Sequence, residues 1–223
     1  AIDVVLGLEI ANPEPLVRDR MNVLAAGLVE PPDAFKNSYA TLHQVTKELD
    51  IIDESDIRTT VLRDEDFTQS TFNTVLNQRS FDVVHLATHG QFGANRNDTF
   101  LLDANGKIPL DDLSNLFGAT TDRTAPIELL MLNACSTATG NDQDVLGIAG
   151  TTVRAGAQSA IASLWSLDDQ SSVVFAEAFY QNLGKPGVSR AEALRQAQRA
   201  LIRHPLFDHP RYWAAYVLVG NWL

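Results

Sequence analysis

Three segments of the chain place apolar or small residues on both faces of an extended strand, which is the pattern of β-strands buried on both faces. The segments span residues 82–88, 127–134 and 157–164. Strands of this kind belong to parallel sheets that helices cover on both sides. Segments with apolar residues at helical spacing lie between and after them, and the last opens with the Ser189 and Glu192 of a capping box. This alternation predicts an α/β fold, a three-layer α/β/α sandwich with a mostly parallel central sheet.

Shorter stretches of helical or alternating spacing predict the remaining elements. Helices are predicted at residues 39–49, 67–78, 110–117, 145–155, 169–183 and 189–203, strands at 2–10, 21–28, 58–62 and 212–219, and a hairpin at the Asn105-Gly106 turn. The segment 1–20 is interpreted as a strand and linker that belong to a preceding pseudo-domain, and residues 21–223 as one domain. Because the chain begins inside an apolar run, we expect it to be part of a longer protein.

Composition excludes several classes of partner. The chain has 223 residues, 17 of them basic and 28 acidic, and a formal charge of −11. Nucleic acids and anionic membrane surfaces both select concentrated positive charge, so we expect neither as a partner. No segment approaches the roughly 20 apolar residues of a membrane span, and no signal peptide is visible, so we expect a cytoplasmic location. No carboxylate or cysteine cluster has the spacing of metal ligands, so we predict no metal and no other cofactor.

Reactive residue types occur where the predicted strands end. The first buried strand ends at His89-Gly90, and the second ends at Cys135, the one cysteine of the chain. Ligands of open α/β sheets bind at the carboxyl ends of the strands, so these residues are expected at one rim. A nearby imidazole can remove the proton of a thiol to give the reactive thiolate. The backbone N–H groups of Gly90 and Cys135 could together stabilise a tetrahedral oxyanion.

Each candidate also has a purely structural interpretation. A lone cysteine is usually buried and inert, and only its pairing with a histidine at a strand end favours chemistry. His85 lies inside the first strand and is interpreted as a buried histidine that supports the core or the site from behind. Trp165, after the third strand, either covers the sheet end or lines a pocket. Asp168 and Asp169 stand where a helix begins, so one of them is expected to cap it and only the other is free to bind a ligand.

Six segments stand in an order that is specific as a set: His85–Gly90, Leu132–Cys135, Arg154–Ala157, Ser163–Asp169, Glu192–Gln198 and Tyr212–Gly220. Together they resemble the CHAT domain, a caspase-like domain often found after tetratricopeptide repeats. The match is dense from Phe81 to Leu223, and residues 21–28 resemble an early strand of the cyanobacterial branch of that family. Ser136 to Gly140 departs from the Glu-Thr-Gly or Glu-Thr-Ala that is common after the cysteine in relatives.

The resemblance implies a caspase-haemoglobinase fold and an intracellular cysteine endopeptidase. It implies Cys135 as the nucleophile, His89 as its basic partner, and the amides of Gly90 and Cys135 as the oxyanion hole. The stretch from Trp165 through Asp168 to Asp169 also resembles separase. There the second acid of the pair helps to bind a basic residue before the scissile bond, which implies Asp169 and a preference for arginine.

The partners implied by the resemblance are a protein or peptide substrate and an upstream tetratricopeptide-repeat region. One alternative from another class stays open. The domain could be a latent or non-proteolytic caspase-like module for regulation or interaction, driven by upstream repeats. A non-proteolytic Cys–His hydrolase is a third interpretation, and it rests on fold analogy alone.

Overall fold

The structure is a computed structural model that describes residues 16–91, 98–118, 126–136 and 156–223. Its strands are β1 (Asn22–Gly27), β2 (Arg58–Arg63), β3 (Val83–Gln91), β4 (Phe100–Asp103), β5 (Gly106–Pro109), β6 (Leu129–Ser136), β7 (Ser159–Ser163) and β8 (Tyr216–Gly220). Its α-helices are α1 (Val45–Asp53), α2 (Gln69–Gln78), α3 (Leu110–Gly118), α4 (Asp169–Asn182), α5 (Arg190–Arg203) and α6 (Pro210–Trp213). Single 3₁₀ turns occur at Arg18–Arg20, Asp33–Phe35 and Asp64–Asp66.

The strands form one sheet in the order β2-β1-β3-β6-β7-β8, in which all neighbours are parallel except β7 and β8. The hairpin of β4 and β5 joins the carboxyl end of β3 in antiparallel pairing. Its turn lies at the predicted Asn-Gly, where Asp103 pairs with Gly106 and the glycine has a φ of 146°. The prediction of a mostly parallel sheet is therefore confirmed, with β3 and β6 as its two central strands.

Apolar side chains alternate between the two faces of the sheet, and a layer of helices packs against each face. Val84 and Leu86 of β3 belong to one apolar cluster, and Val83 and Ala87 belong to the other. The first cluster receives helix residues from α2 and α3: Phe72, Leu76, Leu113, Leu116 and Phe117. The second receives them from α1, α4 and α5: Val45, Leu49, Ile52, Phe175, Phe179, Ala193 and Leu201. Helices on both faces of a parallel sheet are the predicted three-layer sandwich.

Gly27, the last residue of β1, allows α1 to lie close against the sheet. A Cβ at this position would come within 2.6 Å of Val45 Cγ1 and 3.0 Å of the Ala87 carbonyl oxygen. Both distances are shorter than van der Waals contact, so a side chain here would force the helix away. The glycine thus determines how near the first turn of α1 comes to β3.

Two predicted elements start later than the pattern suggested. The helix predicted from residue 39 begins at Val45, because Tyr39 belongs to a loop that reaches over the sheet edge. The strand predicted from residue 212 begins at Tyr216, because α6 comes first, with Pro210 at its first position and the His209 side chain as its cap. In both places the apolar residues begin in a preceding loop or short helix and continue into the predicted element, so the sequence pattern placed the start of the element too early.

The capping box at the start of α5 forms only in part. The Ser189 hydroxyl accepts the N–H of Glu192, as predicted. The Glu192 carboxylate, however, accepts hydrogen bonds from Arg195 and Gln196. The predicted strand at 2–10 and the predicted helix at 145–155 lie outside the described residues. Among the described residues, no helix combines the length and the apolar character that crossing a membrane requires.

Candidate active site

The two residues proposed for catalysis are direct neighbours across the centre of the sheet. β3 and β6 pair in parallel from Val83 opposite Leu129, and this register places His89 opposite Cys135. Paired backbones in a sheet lie about 5 Å apart. Gly90 follows in the same register and also pairs with Leu101 of the hairpin. The strand ends that the sequence analysis singled out therefore meet at one rim.

The His89 side chain is almost completely buried, with 2% of its surface exposed. Burial lowers the pKa of His89 below its usual value of 6.5, and the nearby Ala40 backbone opposes that shift in part. Among the described residues, neither ring nitrogen makes a hydrogen bond of good geometry. The ring of Tyr39 lies against the imidazole with a centroid distance of 5.0 Å. Burial thus favours the neutral form of His89, in which one ring nitrogen can accept a proton.

A buried polar cluster lies behind this rim, centred on Glu48 of α1. Asn133 Nδ2 donates to Glu48 Oε1 at 2.5 Å, and His85 Nε2 lies 3.0 Å from the same oxygen. The Ser172 hydroxyl lies 3.2 Å from Glu48 Oε2. On its other side His85 Nδ1 is 3.1 Å from the hydroxyl of Tyr180. His85 is therefore a buried histidine with polar partners, in line with its sequence interpretation.

The sequence analysis did not find Glu48, although one signal was present. Val45, Glu48, Leu49 and Ile52 follow helical spacing, and all four are buried. A carboxylate on the apolar stripe of a helix is costly unless hydrogen-bond donors surround it. Such a residue indicates either a buried polar network or a functional site. The partners of Glu48 come from β3, β6 and α4, and sequence spacing alone does not show that these elements meet.

The two acids at the start of α4 each accept a backbone N–H group near the start of a helix, Asp168 at α4 and Asp169 at α1. The Asp168 side chain accepts the N–H of Ser171 at 2.9 Å and so caps α4, as one of the pair was expected to do. Asp169 Oδ2 accepts the N–H of Gln44 at 2.9 Å, at the start of α1. Burial raises the pKa of Asp169 above its usual 3.8, the Gln44 amide opposes this shift, and the nearby Glu48 adds to it.

One loop connects the candidate base with the candidate specificity residue. Residues 39–44 run from Tyr39 and Ala40, which lie beside His89, to Gln44, which holds Asp169. Trp165 is half-buried at the edge of the core, and its indole N–H donates to the Arg211 carbonyl oxygen at 2.8 Å. No cluster of three or more metal-ligating side chains occurs within the described ranges.

Comparison with known proteins gives a family match and a fold match. The family model described as the CHAT domain matches residues 9–221. Human tetratricopeptide repeat protein 28 is 29% identical over 115 residues, and its mouse counterpart is 26% identical over 115 residues. These alignments include 51% of this chain but 5% of each relative, so the chain spans only a small part of the curated relatives it matches.

Two solved structures share the fold. The crystal structure of the Arg-specific cysteine proteinase gingipain R matches with a TM-score of 0.60 and 11% identity, over 90% of this chain and 46% of that one. The complex of the pro- and mature domains of RgpB from Porphyromonas gingivalis matches with a TM-score of 0.59 and 12% identity, over 90% and 47%. At these identities the likeness concerns the arrangement of strands and helices.

Proposed function

The chain belongs to the CHAT domain family, and we propose that it is an intracellular cysteine endopeptidase with Cys135 as nucleophile and His89 as base. The observation that carries the proposal is the register of the two central strands, which sets the one cysteine directly opposite a buried histidine. The fold shared with cysteine proteinases supports it. Together these features favour acyl transfer through a thiolate over a purely structural role.

The proposed reaction uses groups of this chain alone. His89 takes the proton of the Cys135 thiol, and the thiolate attacks the carbonyl carbon of the scissile peptide bond. The negative charge on the carbonyl oxygen is stabilised by the amides of Gly90 and Cys135. When the tetrahedral intermediate collapses, the C–N bond breaks and the leaving amine takes the proton from His89. Water, deprotonated by His89, then releases the acyl group as a carboxylic acid and restores the thiol.

Asp169 is the proposed selector of a basic residue before the scissile bond, with Asp168 and Trp165 as neighbours in the same segment. Its Oδ2 atom is held by Gln44, which orients the carboxylate and leaves Oδ1 for the substrate. A carboxylate in a partly dry pocket pairs strongly with a guanidinium group. Because burial raises the pKa of Asp169, we expect the preference for arginine to weaken on acidification sooner than a solvated aspartate would allow.

The direct test is cleavage of peptides that differ only in the residue before the scissile bond: arginine, lysine or leucine. The wild type is expected to cleave the arginine peptide, and Cys135→Ala and His89→Ala are expected to lose that activity. Equal cleavage by wild type and Cys135→Ala would refute the nucleophile. Asp169→Asn is expected to reduce the arginine preference, with Asp208→Asn, an exposed acid elsewhere, as the matched control. An unchanged preference in Asp169→Asn would refute the pocket.

The names of the curated relatives favour a second candidate. Both are tetratricopeptide repeat proteins, so we propose that such repeats accompany this domain and could hold it in a latent state. An electrophilic peptide that carries arginine distinguishes the two functions. Covalent labelling at Cys135 in the isolated domain indicates an active peptidase. Absence of labelling, in a domain shown to be folded by circular dichroism, indicates a latent or non-proteolytic module.

A further inference from the structure

Glu48 is a buried acid whose polar partners are an amide, an imidazole ring and a hydroxyl group. Its surface is 1% exposed. The groups around it are the Asn133 amide, the His85 ring and the Ser172 hydroxyl, at 2.5, 3.0 and 3.2 Å. Removing a carboxylate from water costs several kcal/mol, and neutral donors offset that cost only when they are well placed. An apolar residue would fill this helix position at lower cost, so the carboxylate calls for an explanation.

The partners of Glu48 differ in how well they meet it. His85 Nε2 faces the Glu48 carboxylate and its Nδ1 faces the Tyr180 hydroxyl, which can donate a proton. The Nε2 contact is close but poorly aligned. The amide of Asn133 makes the shortest hydrogen bond to the carboxylate. Ser172 has one proton, which the Glu48 carboxylate shares with the Asp169 carbonyl oxygen.

These partners come from the elements that carry the proposed active site. Asn133 stands two residues before Cys135 on β6, opposite Ala87 of β3. His85 stands four residues before His89 on β3. Ser172 is in the first turn of α4, which begins with Asp169. Glu48 thus joins the strand of the nucleophile, the strand of the base and the helix of the specificity residue through a single carboxylate.

We propose that Glu48 is a positioning residue, which fixes the carboxyl end of β6 through Asn133 and so holds Cys135 in productive register with His89. The inference rests on the proposed function, because it takes the Cys135–His89 pair as the reacting pair. It assigns to Glu48 no contact with substrate. Without Glu48 the carboxyl end of β6 is expected to relax, so that the backbone of Cys135 is no longer held firmly opposite that of His89.

Alkylation of Cys135 tests whether Glu48 positions this residue, and the test does not require peptidase activity. The rate of reaction of Cys135 with iodoacetamide is measured against pH in the folded protein, and the midpoint of the profile reports how well the thiolate is stabilised. Glu48→Leu removes both carboxylate oxygens, so the Asn133 amide loses its acceptor. Asn133→Ala removes the link without changing any charge. Glu128→Leu, just before β6 and far from Cys135, is the control for loss of a hydrogen-bonded carboxylate.

Both site variants are expected to move the midpoint upward by about one pH unit, so that alkylation at neutral pH slows about tenfold. The double variant is expected to move it no further, because both changes break the same link. Simple removal of the Glu48 charge has the opposite sign, since it would favour the thiolate and lower the midpoint. A lower or unchanged midpoint in Glu48→Leu, or an unchanged midpoint in Asn133→Ala, therefore overturns the proposal. If Glu48→Leu does not fold, Asn133→Ala decides.

His89→Ala separates this proposal from the proposed function. If His89 stabilises the thiolate, its loss must raise the midpoint by itself. An unchanged midpoint in His89→Ala overturns the Cys135–His89 pair, and the role of Glu48 falls with it. A raised midpoint in His89→Ala with wild-type behaviour in Asn133→Ala overturns only the role of Glu48. In peptide cleavage, Asn133→Ala is expected to lower kcat about tenfold and leave KM unchanged, with kcat calculated per mole of folded protein so that a loss of folded enzyme does not produce the same result.

Discussion

Mild acid is expected to destabilise this protein through His89. The side chain is 2% exposed, and burial lowers its pKa below 6.5, whereas in the unfolded chain it titrates near that value. Between the two pKa values the unfolded chain binds the additional proton. The free energy of unfolding contributed by neutral His89 is fully present above pH 6.5. It is lost as the pH falls below that value, with a slope that approaches about 1.4 kcal/mol per pH unit.

Urea denaturation of the wild type and of His89→Gln, at intervals from about pH 8 to about pH 5, isolates this effect as the difference between two curves. Asp169 has a raised pKa and contributes with the opposite sign in its own window above 3.8, but it is present in both proteins and cancels. The difference is expected to be level above pH 6.5 and to fall below it. A difference that stays level down to pH 5, or that grows, would refute the argument from burial.

Three further substitutions test the packing around the site. Gly27→Ala is expected to lower stability by about 1–3 kcal/mol in urea denaturation, because its new methyl group would lie 2.6 Å from Val45 Cγ1; wild-type stability would show that α1 can move freely. Asp168→Ala removes the cap of α4 and is expected to cost about 1 kcal/mol, seen as a lower thermal midpoint, and no change would argue against the cap. Arg190→Met removes a guanidinium that is 1% exposed and leaves the carboxylate of Glu128 without its charged partner, so it is expected to lower stability by about 3 kcal/mol in urea denaturation; unchanged or higher stability would contradict this.

The central strands could be predicted because burial on both faces leaves a direct pattern in the sequence. The segments at 82–88 and 127–134 became β3 and β6, and the position of His89 and Cys135 at their ends followed from the rule that parallel strands end at one edge. Their direct opposition could not be derived in this way. It depends on the strand order, and adjacency of β3 and β6 is a tertiary fact that no local spacing encodes.

Asp169 shows what local sequence patterns cannot predict. The sequence predicted that one acid of the pair would cap the following helix, and Asp168 does so. The other acid was expected to be free, but Asp169 holds the N–H of Gln44, which is 125 positions away in the chain. Glu48 was missed for the same reason, since its three donors come from distant segments. Long-range polar contacts depend on how the layers pack, whereas caps and turns depend on neighbouring residues.

The register of β3 and β6 also has a consequence for how the protein could be re-engineered. The separation of His89 from Cys135 is set by backbone hydrogen bonding between two central strands, and not by the segments that connect them. Connecting segments other than the one that carries Glu48 can therefore be lengthened, shortened or exchanged with those of a relative while the proposed reacting pair keeps its register. Residues of the rim could then be changed to alter the preferred substrate, while the strands of the sheet keep the proposed catalytic residues in place.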